Sequence, residues 1–186
     1  MEAFLVKKMA WLVMFALVGL VRAEDDKKGT VVELDGVKAT TPSTWVSEKP
    51  SNNFRYMQFR LTKVEGDKED ADLVIYKGLG GSTKDNLERW KKDFVPPEGK
   101  KIEDMTKESK IKIGGVEATL VQIEGTFKYR ERPRDPSSKE ELKPNYKFYG
   151  VIVDGKDNIY HIRFTGPAKT VEKYEKGFKE WLEAFK

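Results

Sequence analysis

The sequence contains no cysteine and a single histidine, His161, in 186 residues. Without cysteine the chain has no disulfide, no thiol nucleophile and no acceptor for a bacterial lipid anchor. With one histidine it also lacks the several His or Cys ligands of an ordinary zinc site. A Ser-His-Asp triad would have to use His161, and no Gly-x-Ser-x-Gly segment is present to hold its serine. We therefore predict no metal, no cofactor and no catalytic residue that can be named.

Long apolar runs are also scarce, and the one near the start of the sequence is short. Lys7 and Lys8 precede an apolar stretch at 9–21, and Ala23 is followed by acidic residues. This stretch is about 13 residues long, whereas a transmembrane helix needs roughly 20. The pattern is typical of a secretory signal peptide cleaved after Ala23, although Arg22 is unusual there and leaves an uncleaved tether as the alternative. We expect an exported protein, periplasmic or extracellular, without a lipid anchor or a stable membrane span after cleavage.

The sequence also lacks a large excess of positive or negative charge. Removal of residues 1–23 leaves 163 residues with 32 basic and 30 acidic side chains, a net charge of +2 against +4 for the whole chain. Such a chain is a poor general binder of nucleic acid, whose phosphates must be neutralised. Its length suits one domain that buries about two-thirds of the unfolded surface. The expected organisation is a signal peptide, a loose tail at 24–30 and a single domain at 31–186 with a hairpin insert at 130–145.

Apolar periodicity alternates between the strand and the helix repeat. Asp35-Gly36 lies between two short β-branched runs, which is a strong hairpin signal. Further strands are predicted at 54–62, 71–79, 109–113, 116–129, 146–153 and 158–166, and helices at 83–95 and 171–185. Runs of antiparallel strands with two aromatic-striped helices indicate an α+β fold. We expect a single-domain α/β/α sandwich with a mostly antiparallel central sheet and two main helices.

The segment "IYKGLGGSTKDNLERW" at 75–90 has the layout of a phosphate-binding loop. A dinucleotide fingerprint fails because the sixth position from Gly78 is Thr83, and the Gly-Lys-Ser/Thr ending of a Walker loop is absent. A tight strand-to-helix turn capped by a serine is the simpler interpretation. Because a helix N-terminus attracts anions, a ligand site stays open as an alternative. Its candidate residues are Gly80, Gly81, Ser82, Lys84, Asn86 and Arg89.

The polar stretch at 130–145 is long for a connection between two sheet strands, and such connections are usually functional or disordered. Its basic residues are interleaved with acidic ones that nearly cancel their charge. The simplest interpretation is a mobile, solvated hairpin tip. The alternative is a contact surface for a protein or a polyanion. Its candidate residues are Tyr129, Arg130, Arg132, Arg134 and Tyr146.

Two other polar features have simple structural interpretations. His161 and Arg163 share one face of the strand at 158–166, which predicts a partly exposed strand residue rather than a general base. The acidic run at 65–72 lacks the Asp-x-Asp-x-Asp-Gly order of a calcium loop, so we predict a solvated turn.

Several segments together carry a family resemblance: "TTPSTW", "YMQFRL", "GGSTKDNLERW", "GGVEATLVQIEGTF" and the run from Ile159 to Phe185. They resemble an uncharacterised family of exported bacterial proteins, similar in fold to the PsbP-like α/β/α sandwich. That fold is named for an extrinsic subunit of photosystem II and is shared with DcrB-type proteins and a eukaryotic Ran-binding family. The resemblance covers about 40–186, and its clearest positions are Asn86, Arg89, Trp90, Gly166 and Pro167. It implies a binding or accessory role.

Two functional classes follow from these observations. The preferred one is an exported, non-enzymatic binding or accessory protein of the cell envelope, with a protein or polyanionic envelope component as partner. The alternative is a small hydrolase-type enzyme with a carboxylate- or Lys-centred site near Gly78–Arg89. Perturbed pKa values that converge in a deep pocket would favour the enzyme. A shallow surface with exposed aromatic side chains would favour the binding protein.

Overall fold

The computed structural model describes residues 28–132, 135 and 137–186. The predicted signal peptide and Arg134 lie outside the described residues. Within them the elements are β1 (Val31–Leu34), β2 (Val37–Thr40), β3 (Val46–Glu48), β4 (Arg55–Leu61), β5 (Ala71–Lys77), α1 (Thr83–Lys92), β6 (Phe94–Val95), β7 (Thr106–Ile113), β8 (Val116–Arg130), β9 (Glu140–Asp154), β10 (Ile159–Pro167) and α2 (Ala168–Glu183), with a short 3-10 helix at Ile102–Met105.

Eight of these strands form one antiparallel sheet, and β1 and β2 form a separate hairpin. The order in the sheet is β3-β4-β5-β10-β9-β8-β6, and β7 also pairs with β8. The two helices lie on opposite faces of this sheet, which confirms the predicted α+β fold. Among the described residues, neither helix combines the length and apolar character that a membrane crossing requires.

Each helix covers its own hydrophobic core. Adjacent residues of a strand point to opposite faces, and Phe148 and Tyr149 of β9 accordingly belong to different clusters. The α2 core contains Phe178 and Trp181 of the helix, and the ring of Trp45 lies 5.3 Å from that of Trp181. The smaller α1 core holds Leu87, Trp90, Phe94, Val121, Ile123, Tyr146, Phe148 and Ile152. The aromatic stripes read from the sequence are therefore the buried faces of both helices.

The Asp35-Gly36 turn forms as predicted and has a second role. Asp35 and Gly36 both have positive φ, 46° and 93°, which suits a two-residue hairpin turn. The Asp35 carboxylate accepts hydrogen bonds of 2.8 Å from the backbone N–H groups of Asp157 and Asn158 and from the Tyr160 hydroxyl. The carboxylate thus attaches the β1–β2 hairpin to the turn between β9 and β10.

The β8 and β9 strands are longer than the sequence indicates. The prediction of a 16-residue connection at 130–145 is wrong, since β9 begins at Glu140 and the connection spans 131–139. Cross-strand contacts explain the extension, because Arg130 and Glu140 form an ion pair of 2.9 Å across the ladder. We call the paired ends of these two strands, residues 126–130 and 140–146, the β8–β9 arm.

Gly150 allows α1 to pack closely on the sheet. A Cβ at this position would lie 2.5 Å from Cζ3 of Trp90 and 2.8 Å from Cε1 of Phe148. We expect Gly150→Ala to lower the free energy of unfolding by about 1 to 2 kcal/mol, because overpacking forces α1 off the sheet. Gly80→Ala is the control, since a Cβ there meets nothing within 4 Å. Urea unfolding of both variants checks this, and equal stability would show that the interface absorbs a methyl group.

Candidate functional site

The α1 face of the sheet is only partly covered, and the uncovered part forms a cleft. Helix α1 has 10 residues and is therefore about 15 Å long, so it ends before it reaches the far side of the sheet. The cleft has a volume of about 460 Å³ and opens between the C-terminal end of α1, the strands β4, β5 and β10, and the β8–β9 arm. Its lining residues include Arg55, Glu69, Asp72, Tyr76, Lys92, Asp93, Phe127, Lys128, Tyr129, Lys143, Tyr146 and Arg163.

Two arginine–aspartate pairs form the floor of the cleft. Arg163 of β10 approaches Asp93, which caps the C-terminus of α1, at 3.3 Å, and Arg55 of β4 approaches Asp72 of β5 at the same distance. The Arg163 guanidinium also lies over the ring of Phe148, 5.3 Å from its centroid. Burial raises the pKa of both aspartates, and the nearby arginines offset part of this effect. The floor is thus polar, half-buried and internally paired.

The arm supplies an aromatic wall. Phe127 and Tyr146 stack with their ring centroids 5.7 Å apart, and Lys143 Nζ lies 4.1 Å from the centroid of Tyr129. Lys143 also donates to both carboxylate oxygens of Glu69, at 2.6 and 2.9 Å. Burial alone would raise the pKa of Glu69, but hydrogen bonds from Lys143 and Tyr146 outweigh it and lower that pKa. The arm is therefore fastened to the acidic turn between β4 and β5.

The ligand residues predicted around the glycine loop lie at the other end of α1. Ser82 caps the helix as predicted, accepting at Oγ from the Asp85 N–H at 3.1 Å. Asn86 is buried; its side chain donates to the Ser82 carbonyl at 3.0 Å and accepts from Arg89. Gly81 has a φ of 99°, as a tight turn requires. Gly80 and Lys84 complete this set, no member of which lines the cleft, and a site here stays a prediction.

Only some of the predicted partner-binding residues lie at the cleft. Tyr129, Arg130 and Tyr146 line the cleft, whereas Arg132 lies beyond it and pairs with Asp135 at 2.9 Å. Their role in binding stays a prediction. Sequence reasoning missed the floor residues Arg55, Asp72, Asp93 and Arg163. Strand periodicity places Asp72 and Arg163 on one face of their strands, but the pairing of β5 with β10 is needed to bring them together.

The expectation that His161 is partly exposed is wrong. Its exposed fraction is 1%, because Trp90 of α1 covers it with the two ring centroids 5.8 Å apart. Neither ring nitrogen has a hydrogen-bond partner among the described residues. Burial first, and then the charges of Arg89 and Arg163, lower the pKa of His161 to about 4. The imidazole is therefore neutral at pH 7.

No family model and no curated protein matches the sequence. Among solved structures, the chain is similar to cyanobacterial PsbP (CyanoP) from Synechocystis sp. PCC 6803, with a TM-score of 0.50 and 9% identity over 91% of this chain and 98% of that one. It is also similar to PA94 from Pseudomonas aeruginosa, a protein of unknown function described as a putative regulator, with a TM-score of 0.44 and 15% identity over 82% of this chain and 92% of that one. A third similar structure is LpqN of Mycobacterium tuberculosis, described as involved in cell envelope biogenesis. Its TM-score is 0.46 and its identity 12%, over 84% of this chain and 83% of that one. The PsbP-like fold predicted from the sequence is confirmed.

Proposed function

We propose that this chain, which has a PsbP-like fold, is an exported, non-enzymatic binding or accessory protein of the cell envelope. Its cleft holds a ligand or a segment of a partner. The observation that carries the proposal is the combination, in one open cleft of about 460 Å³, of an aromatic wall and a paired charged floor. Binding sites for small molecules and peptides commonly join apolar walls with a few placed polar groups. Export rests on the signal-peptide pattern at the start of the sequence.

The ion pairing in the cleft favours binding over acid–base catalysis. All five carboxylates that line it contact a basic side chain: Glu69 contacts Lys143, Asp70 contacts Arg60, Asp72 contacts Arg55, Asp93 contacts Arg163 and Glu140 contacts Arg130. A general base needs a lone pair that is free to take a proton. Paired carboxylates are better suited to hold a fixed pattern of charge against a ligand.

The arm gives the proposal a direct test. Tyr129 lies on the cleft wall and is 38% exposed, and Val116 lies at the opposite end of the same strand and is 37% exposed. We expect native mass spectrometry of the full-length gene product, purified gently from its own source, to detect a co-purifying molecule. Tyr129→Ser should lose at least half of it, since the aromatic wall loses its exposed ring.

Val116→Ser is the matched control and should retain the molecule. Retention in both variants, or a preparation that carries nothing, would contradict the proposal. Loss in both variants would also contradict it, because the loss would then not be specific to the cleft wall.

A further inference from the structure

Positive charge collects at one end of the cleft, around Asp93. Arg163, Arg89 and Lys128 all act on the Asp93 carboxylate, and Lys92 precedes it in the chain. Among the described residues, Lys92 and Lys128 form no ion pair, while Arg163 pairs with Asp93 itself. Three of these cations, Arg163, Lys92 and Lys128, also line the cleft beside Asp93. The neighbouring Lys91 is excluded from this group because Glu88 and Glu108 neutralise it at 3.1 and 2.9 Å.

The helix end does not cancel this charge. The C-terminus of α1 contributes the equivalent of about −0.5 elementary charge. Together with the single charge of Asp93, it leaves these three cleft cations with an excess of roughly +1 to +2. The same two arginines also act on His161, whose pKa is lowered first by burial and then by the charges of Arg89 and Arg163.

An apolar surface adjoins the excess charge. Phe127 lines the cleft and pairs with Phe94, the residue after Asp93, with the two rings 5.3 Å apart. Tyr129 follows two positions along the same strand face and is partly exposed. A bound molecule therefore meets cations at one point and aromatic rings beside it.

We infer that this end of the cleft binds the phosphate or carboxylate group of a small organic anion through Lys92, Lys128 and Arg163, with its apolar body against Phe127 and Tyr129. The inference rests on the proposed function and names the class of ligand. Lysine and arginine donate charge-assisted hydrogen bonds to either anion. Because the aromatic wall contacts the apolar body, an organic anion should bind more tightly than an inorganic one.

Isothermal titration calorimetry at constant ionic strength tests the inference with phenyl phosphate, benzoate, inorganic phosphate and phenol as probes. We expect one equivalent of phenyl phosphate or benzoate to bind, and the stronger of the two identifies the preferred anion. Inorganic phosphate should bind several-fold more weakly and phenol should not bind. Lys128→Gln should weaken binding about tenfold, the loss of one charge-assisted hydrogen bond.

Lys84→Gln is the decisive control, because Lys84 lies at the glycine loop, where the sequence places a rival anion site. Binding that is lost in Lys84→Gln and kept in Lys128→Gln would overturn the inference. Failure of both organic anions to bind would also overturn it. Retention of the Tyr129-dependent molecule in native mass spectrometry would then leave the proposed function standing.

Discussion

Lowering the pH from 7 to 4.5 is expected to reduce the free energy of unfolding by about 2 kcal/mol through His161 alone. The pKa of this histidine is about 4 in the folded protein and near 6.5 in the unfolded chain. At a pH between these two pKa values, His161 is protonated in the unfolded state but not in the folded state. Stability is therefore fully present above pH 6.5 and falls as the pH approaches 4.

The physical cause is the position of the imidazole beneath Trp90. Protonation there would place a charge in an apolar contact, near the cations Arg89 and Arg163 and without a hydrogen-bond acceptor. The cleft aspartates, whose pKa values burial raises, also contribute to the pH dependence of stability. A comparison with variants at position 161 separates the contribution of His161 to the pH-dependent loss of stability from that of the other groups.

Urea unfolding at pH 7 and pH 4.5 provides the measurement. His161→Phe and His161→Gln differ in packing but neither titrates, so both should show a pH-dependent loss smaller than that of the unmodified protein by about 2 kcal/mol. Equal losses in all three proteins would mean that the imidazole is protonated, or solvated, in the folded state.

Local chemistry accounts for the part of the fold that the sequence predicts well. The Asp35-Gly36 turn, the Ser82 cap and the Trp90 stripe each depend on residues within about one helical turn of each other. The His161 prediction shows the limit of this reasoning. Strand alternation correctly puts His161 and Arg163 on one face, but only the path of α1 over the sheet determines that His161 is covered and Arg163 reaches the cleft.

The cleft itself depends on long-range pairing. Arg55, Asp72, Asp93 and Arg163 come from four different elements, and the pairing of β10 with β5 and of β5 with β4 brings three of them together. No periodicity within one segment encodes this order. The sequence predicts strands that are too short in the β8–β9 arm for a similar reason. The polar composition of 130–145 indicates a loop unless the cross-strand partners are known.

The ion pairs of Lys147 also depend on residues that are distant in sequence, and their loss is expected to change stability strongly. It lies on the α2 face of β9 and is 5% exposed, with Nζ 3.0 Å from Glu124, 3.1 Å from Glu175 and 3.7 Å from Glu172. Burial alone would lower the pKa of Lys147, but hydrogen bonds to Glu124 and Glu175 raise it. The ammonium group thus holds two strands and α2 together.

We expect Lys147→Met to lower the free energy of unfolding at pH 7 by about 2 to 3 kcal/mol. Removal of one partner from a buried ion pair costs about 3 to 5 kcal/mol, and the partial exposure of the glutamates reduces that figure. Lys176→Met is the control, since Lys176 is an exposed lysine on α2 whose ion pair with Glu180 spans 3.7 Å. Its effect should stay within about 0.5 kcal/mol.

The pH dependence of the deficit distinguishes lost charge pairing from lost packing. Burial alone would raise the pKa of Glu175, but hydrogen bonds from Lys179 and Lys147 lower it to about 2. Its contribution to stability is therefore present above the unfolded pKa near 4.5 and is lost as the pH falls towards 2. The Lys147→Met deficit should shrink between pH 5 and pH 3, and adding Glu175→Gln to Lys147→Met should recover part of it at pH 7. A deficit that is constant with pH would assign the effect of Lys147 to packing of its aliphatic stem.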